Sequence, residues 1–226
     1  MSRDRALKYE KSRLGLTIMA TILRELSYRY QWLYDGISGI AALAVGGEKR
    51  FRQLALEGIA IAPETKVLDL CCGSGQTTQF LVQRSQQVTG LDASPLSIRR
   101  AQHNVPQATY VEAFAEKMPF ADGSFDVVHT SAAMHEMEPQ QLRQILQEVY
   151  RVLKPGGYFT MVDFHQPTNP ILIPGIAIFF WLFETETAWQ LLKEDLNKLL
   201  TEIGFEVRDR KLYAGGSLQV IQAQKH

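Results

Sequence analysis

Val67-Leu68-Asp69-Leu70-Cys71-Cys72-Gly73-Ser74-Gly75-Gln76-Thr77-Thr78 decides the reading of this chain. A short apolar run ends in an acid, turns through two glycines and leads into a segment with helical character. A strand that enters a Gly-rich turn and then a helix presents backbone N–H groups and a helix N-terminus to a ligand. Glycine suits the turn because the backbone must bend tightly and approach the ligand without a Cβ in the way. By itself such a turn fits several nucleotide-type cofactors.

Strands and helices alternate outward from this turn. Lys66–Leu70 reads as a first strand and Gly75–Arg84 as its helix. Gln87–Leu91 is a second strand ending at Asp92, and Ser94-Pro95 opens a helix to about His103, with Ser94 as N-cap and Pro95 in the first turn. Ala108–Glu112 is a third strand, and Asp122-Gly123 turns into a fourth, Phe125–Thr130. Glu138-Pro139 opens a helix to about Leu153, stopped by Pro155-Gly156-Gly157, and Tyr158–Asp163 is the fifth strand. A helix from Trp189 to Ile203 ends at Gly204, and Phe205–Arg210 with Leu218–Gln224 closes the sheet. The expected fold is α/β: a Rossmann-like, doubly wound, mostly parallel seven-stranded sheet with helices on both faces and ligands at the C-terminal strand edge.

Ahead of this core, Ala6–Tyr34 has helical spacing and Ile37–Ile59 reads as a second helical region broken at Gly46-Gly47. Residues 1–62 are therefore expected to form a helical extension of the same domain that residues 63–226 build, with a lid inserted at about 168–188. The basic start of the first helix (Arg3, Arg5, Lys8, Lys11, Arg13) reads as a solvated face, or as weak contact with an anionic membrane surface.

Composition narrows the function classes. The 226 residues are 46% hydrophobic and 21% charged, which is globular, and Lys+Arg and Asp+Glu balance at 24 each, so global charge argues for no nucleic-acid partner. The two cysteines, Cys71 and Cys72, are adjacent and poorly placed to bond each other. With no nearby histidine pair they suggest neither a disulfide framework nor a zinc site, and no metal is expected. A reducing, cytoplasmic setting follows. Met1–Arg13 lacks the apolar segment of a secretory signal. The apolar run Ile171–Phe183 is interrupted by Pro174 and Gly175 and falls short of the roughly 20 residues of a spanning helix.

Three further segments follow the opening turn in order: Leu91-Asp92-Ala93-Ser94, Met118-Pro-Phe-Ala-Asp-Gly-Ser-Phe-Asp-Val-Val128 and Arg151-Val-Leu-Lys-Pro-Gly-Gly-Tyr158. Together with Asp69–Gly75 they closely resemble class I S-adenosylmethionine-dependent methyltransferases, over roughly Pro63 to Asp163. A nicotinamide-binding protein would instead want a third glycine near Thr78 and would not carry the last two segments.

The resemblance implies S-adenosylmethionine as cofactor, a small-molecule acceptor and a set of contacts. Asp92 would accept hydrogen bonds from the ribose hydroxyls. Asp69 and the backbone of Cys71, Cys72, Gly73, Ser74 and Gly75 would hold the methionine portion, although Asp69 also reads as a carboxylate that only organises the loop. Ala93 would touch the cofactor, and Ala113, Phe114 and Ala115 the adenine, with Phe114 standing where the family has an acid. Ser131 would approach the cofactor from its other side. Both cysteines read as small fillers of the turn.

The acceptor would lie across the cofactor, near Tyr34, the Ser131–Glu136 loop and the segment after Asp163. His135 and His165, just past two strand ends, are candidates to take a proton from a hydroxyl or phenol acceptor. Each is equally readable as a hydrogen-bonded loop histidine, and His129 reads as structural. Tyr34-Asp35-Gly-Ile-Ser38, Asp163-Phe-His-Gln-Pro-Thr-Asn-Pro170 and Gly215–Ala223 are similar to segments of the quinone-biosynthesis C-methyltransferases, which have an Arg-Asn pair where His135-Glu136 stands. This implies an aromatic or lipophilic acceptor, such as a quinone-type or prenylated ring, under a lid carrying Phe179, Phe180 and Trp181. Methylation of O or N in a soluble metabolite, and a cofactor-binding protein without transferase activity, remain as alternatives.

Overall fold

The computed structural model of the chain describes residues 42, 43, 45–175, 177, 178 and 186–226. The expected first helix, Tyr34, Phe179, Phe180 and Trp181 fall outside the described residues. Seven strands form one sheet: β1 (Lys66–Leu70), β2 (Gln87–Asp92), β3 (Thr109–Glu112), β4 (Phe125–Ser131), β5 (Leu153–Phe164), β6 (Phe205–Tyr213) and β7 (Leu218–Lys225). Their order is β3-β2-β1-β4-β5-β7-β6. The first five run parallel, and β7 is antiparallel to both β5 and β6.

β1 shows why the sheet is doubly wound. Four of its five residues are buried, and successive side chains of a strand point to opposite faces. Val67 joins Leu56, Leu81, Val88 and Val127 on one face. Leu68 and Leu70 join Leu142, Ile145, Leu146 and Val149 on the other. A strand covered on both sides must be apolar throughout, so an acid in it needs a local partner. Asp69 is that acid.

The helices follow their start signals. α3 (Pro95–Asn104) begins where the Ser94 hydroxyl accepts from the Ser97 N–H, with Pro95 in the first turn. α4 (Pro139–Val152) buries Leu142, Ile145, Leu146, Val149 and Val152 at helical spacing. α1 (Glu48–Phe51) and α2 (Thr78–Leu81) are short.

Four boundaries differ from expectation. The second helical region does not run on to Ile59; α1 ends at Phe51 and a 3-10 turn covers Leu54–Leu56, where Gln222 Nε2 donates to the carbonyls of Ala55 and Glu57. The helix expected from Gly75 to Arg84 is regular only over Thr78–Leu81, because residues 73–77 are spent on the turn itself. The single helix expected from Trp189 to Ile203 is two, α5 (Glu186–Leu191) and α6 (Leu196–Ile203). Asp195 restarts the chain as an N-cap that accepts from the Lys198 N–H, an option local carboxylates offer against helix continuation. Lastly, pairing in β5 begins at Leu153 rather than Tyr158, across a register shift opposite Phe125–Val127. Gly157 fits there because a Cβ would stand 2.9 Å from the carbonyl oxygens of Asp126 and Lys154.

The Arg151–Tyr158 and Met118–Val128 segments are joined by one side chain. Arg151 donates to Glu148, to Asp122 Oδ1 and to the carbonyls of Phe120 and Met118. Glu148 in turn accepts from the Met118 N–H at 2.7 Å. The guanidinium fork thus fixes the loop that carries the chain from β3 into β4.

Candidate active site

β1 and β4 are neighbours in space but not in sequence, and the strand order reverses direction between them. Ligands of such sheets bind at that crevice, beyond the carboxyl ends of the strands. Both strands leave the sheet there through a left-handed non-glycine residue, Cys71 (φ 56°) after β1 and Ala132 (φ 53°) after β4. Such backbone costs of order 1–3 kcal/mol and clusters where function holds it in place. Between these ends and the end of β2 lies a cavity of about 380 Å³, within the range for small-molecule sites.

Asp69, Cys71, Cys72, Gly73, Ser74, Asp92, Ala93 and Ser131 all line this cavity. Asp92 organises the ground beneath it: one carboxylate oxygen accepts from the Gly73 N–H and the other from the Ser94 N–H, both at 2.9 Å. Its pKa is raised, first by burial, against the pull of those two N–H groups. Asp69 is almost fully buried and accepts from the Thr78 hydroxyl at 2.6 Å. Burial pushes its carboxyl up to about 7, with Thr78 and Arg52 pulling it back. It therefore both ties the turn to α2 and faces the cavity. Burial, and then the neighbouring carboxylates, push both cysteine thiols up, so neither is a ready thiolate.

Gly75, Ala113, Phe114 and Ala115 are not among the lining residues. Gly75, at φ 89°, lies under the turn, where a Cβ would meet Val105 at 3.2 Å. Ala113 N–H bonds the Asp92 carbonyl, Ala115 is buried, and Phe114 stands 65% exposed at the same strand edge.

His135 and His165 are also absent from the lining. His135 is buried with Nδ1 2.7 Å from Asp163 Oδ1 and its ring tilted against Phe164. The N–H groups of Ala133, Met134 and Phe164 converge on the same carboxylate. His165 Nδ1 lies 2.8 Å from the Gly216 carbonyl oxygen; a carbonyl only accepts, so Nδ1 carries the proton. His129 is buried in β4 against the Thr160 hydroxyl, and burial, then Arg52 and Arg84, press its pKa down to about 3.

Several lining residues went unseen in the sequence, Ser97, Arg100 and Met137 among them, and the most deeply buried of the charged ones is Arg52. Arg52, just past α1, is 2% exposed, pairs with Glu48 at 2.7 Å and donates to the Ser131 hydroxyl at 3.2 Å. Nothing in its spacing marks it; only the Glu48–Arg52 pair one helical turn apart hints at its anchorage. Glu136, on the 3-10 turn after β4, lines the same cavity.

A seven-stranded sheet with one reversed strand, a Gly-rich turn after β1 and an acid ending β2 define a class, and the comparisons agree with it: the chain belongs to the class I S-adenosylmethionine-dependent methyltransferases. A methyltransferase-domain family model matches residues 67–157. An uncharacterized methyltransferase of Synechocystis sp. is 59% identical over 206 residues, 91% of this chain and 97% of that protein. A 2-phytyl-1,4-naphtoquinone methyltransferase of Nostoc sp. is 31% identical over 160 residues, 67% of this chain and 68% of that protein. A S-adenosylmethionine-dependent methyltransferase structure from Methanosarcina mazei, 24% identical, shares the fold with a TM-score of 0.60 across 75% of this chain and 96% of that one.

The protein is thus an S-adenosylmethionine-dependent methyltransferase. The cavity suits that cofactor chemically: carboxylates at the ends of β1 and β2 face a guanidinium at the end of β4, matching a ligand that carries a diol, an ammonium, a sulfonium and a carboxylate. Among the described residues no group of three or more His, Cys, Asp or Glu is placed to hold a metal ion, and no helix is long and apolar enough to cross a membrane.

Proposed function

We propose that the protein transfers a methyl group to a small aromatic or lipophilic acceptor, a quinone-type or prenylated ring. The observation that carries this reading is the apolar surface on the segment that follows the carboxyl end of β5, where Ile171, Leu172, Ile173 and Ile178 are exposed. Exposed apolar patches on a globular protein mark binding surfaces for apolar partners. The Nostoc relative, named for a phytyl-substituted naphthoquinone, supports the same chemistry. Residues 1–62 and the lid at about 168–188 would close over the acceptor, with Tyr34, Phe179, Phe180 and Trp181 lining it, and the patch would give the enzyme weak peripheral contact with a membrane surface from its cytoplasmic side.

Bound S-adenosylmethionine supplies the activated methyl group. Asp92 would hold the ribose, Asp69 with the Cys71–Gly75 backbone the methionine portion, Ala93 the ribose edge, and Ala113, Phe114 and Ala115 the adenine. Ser131 would border the donor from β4. Positioning accounts for most of the acceleration such a site provides. His135 is the first candidate for the proton that a phenol or ring carbon must lose, since Asp163 orients its ring through Nδ1; His165, tied to Gly216 in the same way, is the second.

The test is incubation of the protein with methyl-labelled S-adenosylmethionine and a lipid extract of its source. Label should enter the organic fraction. Label confined to the aqueous fraction would replace this acceptor class with a soluble metabolite methylated on O or N.

A further inference from the structure

Three consecutive left-handed residues form the tip of the β6–β7 hairpin: Ala214 (φ 51°), Gly215 (φ 63°) and Gly216 (φ 88°). At a non-glycine residue such backbone costs free energy and persists only where its surroundings hold it. Here they do, because Tyr213 and Ala214 pack against a buried cluster that includes Val162, Phe164, Leu218 and Val220. The tip in turn receives the chain that leaves β5. His165 donates to the Ser217 carbonyl through its backbone N–H at 2.9 Å, and to the Gly216 carbonyl through Nδ1 at 2.8 Å. The Gly215 carbonyl accepts from the N–H groups of Thr168 and Asn169 and from the Thr168 hydroxyl. The fit is steric as well. A Cβ at Gly216 would stand 2.6 Å from the Thr168 nitrogen, and one at Gly215 would overlap Leu172 Cδ1. Asn169 Oδ1 then accepts from the Ile171 N–H at 3.0 Å and starts the turn that carries Ile171, Leu172 and Ile173.

The root of the apolar segment is thus fastened by five hydrogen bonds to a rigid turn, and Ile171, Ile173 and Ile178 are nevertheless exposed. Their exposure is a consequence of how the root is held. We infer that Gly215 and Gly216 are positioning residues for methyl transfer: the hairpin tip seats the apolar segment at the acceptor side, so the two glycines govern how tightly the acceptor is held and leave donor binding untouched. This rests on the reading that the segment after β5 faces the acceptor. The independence from the donor follows from place. β5 separates β7 from β4, and neither glycine, nor Thr168, nor Leu172 lines the donor cavity. Yet Leu218 pairs with Phe164 at the carboxyl end of β5, so the tip stands at the same edge of the sheet as the cavity. Only a residue without a Cβ lets the backbone at 216 come so close to the backbone at 168. A side chain there lifts the root of the segment and touches nothing that holds the donor.

The experiment compares the full wild-type chain with Gly216→Ala and with Asn169→Ala, an exposed change that removes the side-chain bond to Ile171. Each protein is followed by amide hydrogen exchange over residues 165–173 and by calorimetric titration with S-adenosylhomocysteine. Transfer of labelled methyl from S-adenosylmethionine is then measured with limiting and with saturating lipid extract. Gly216→Ala should speed exchange at Thr168 and Asn169 by about 10-fold or more and bind S-adenosylhomocysteine as the wild type does. Its transfer rate should fall about 10-fold at limiting extract and recover at saturating extract, the pattern of weakened acceptor binding. Asn169→Ala should speed exchange at Ile171 and lower transfer at limiting extract by about 2- to 5-fold, and it carries the test if Gly216→Ala does not fold. Unchanged exchange in a folded Gly216→Ala overturns the seat. Faster exchange with unchanged transfer overturns the positioning role, and a parallel loss of S-adenosylhomocysteine affinity overturns the independence from the donor. If the wild type labels only the aqueous fraction, the lipophilic-acceptor reading fails, while the same comparisons made on that fraction still decide the role of the glycines.

Discussion

Replacing Asp69 with Asn should make the protein more stable and less able to bind its donor. Asp69 sits in a strand buried on both faces, and burial lifts its carboxyl from 3.8 to about 7. A carboxyl whose native pKa is raised contributes stability below its unfolded pKa, and that stability is lost as pH rises through the native value. Linkage across this interval gives a cost of about 2 kcal/mol at pH 5, growing to about 4 kcal/mol at pH 8, relative to a side chain that never ionises. Asn can still accept from the Thr78 hydroxyl through its amide oxygen, so it removes the cost and keeps that bond. His129 acts with the opposite sign. Its native value of about 3 lies below the usual 6.5, so its stability is present above 6.5 and lost as pH falls toward 3. Between about pH 4 and 6.5 the two residues offset each other in the wild-type protein, and in Asp69→Asn only the His129 slope remains. Urea denaturation of both proteins at pH 5 and pH 8 measures the difference. The reasoning is refuted if the variant is no more stable than wild type at pH 8, or if its advantage does not grow with pH.

Two other substitutions examine the frame of the site. At Gly90 a Cβ would stand 2.8 Å from the Tyr110 ring and 2.9 Å from Cys72 Sγ, and the ring is held by its bond to the Val105 carbonyl. Gly90→Ala should therefore cost about 1–3 kcal/mol by overpacking and weaken S-adenosylhomocysteine binding as Cys72 is displaced; unchanged stability and affinity would show that the turn has slack. Arg151→Ala leaves Glu148 and the carbonyls of Met118 and Phe120 without their guanidinium. A loss of about 1–3 kcal/mol in urea titration is expected, with faster amide exchange over residues 118–122; full protection of that loop would mean its own turn holds it.

Much of this molecule was legible along the chain. Val67–Leu70, with apolar side chains for both faces, could only be an interior strand. Ser94-Pro95 and Glu138-Pro139 start helices because a cap and a proline act on their immediate neighbours. The reach of local chemistry is also why Trp189–Ile203 misled: its apolar spacing is continuous, and the Asp195 cap that splits it competes on nearly equal terms with helix continuation. The same limit applies to the site. Asp69, Asp92 and the turn announce themselves because one strand, one turn and one helix place them.

What tertiary structure alone decided are the contacts between segments far apart in sequence. Arg52 meets Ser131, His135 meets Asp163, and Arg151 gathers the 118–122 loop. Periodicity and capping carry information over one or two turns of chain, whereas these partners become neighbours only when β4 is laid between β1 and β5. The sequence by itself determined a methyl-donor fold and the acids that face the cavity. The sheet order decided which cation completes the cavity, because only the folded sheet brings a residue from before β1 to the tip of β4.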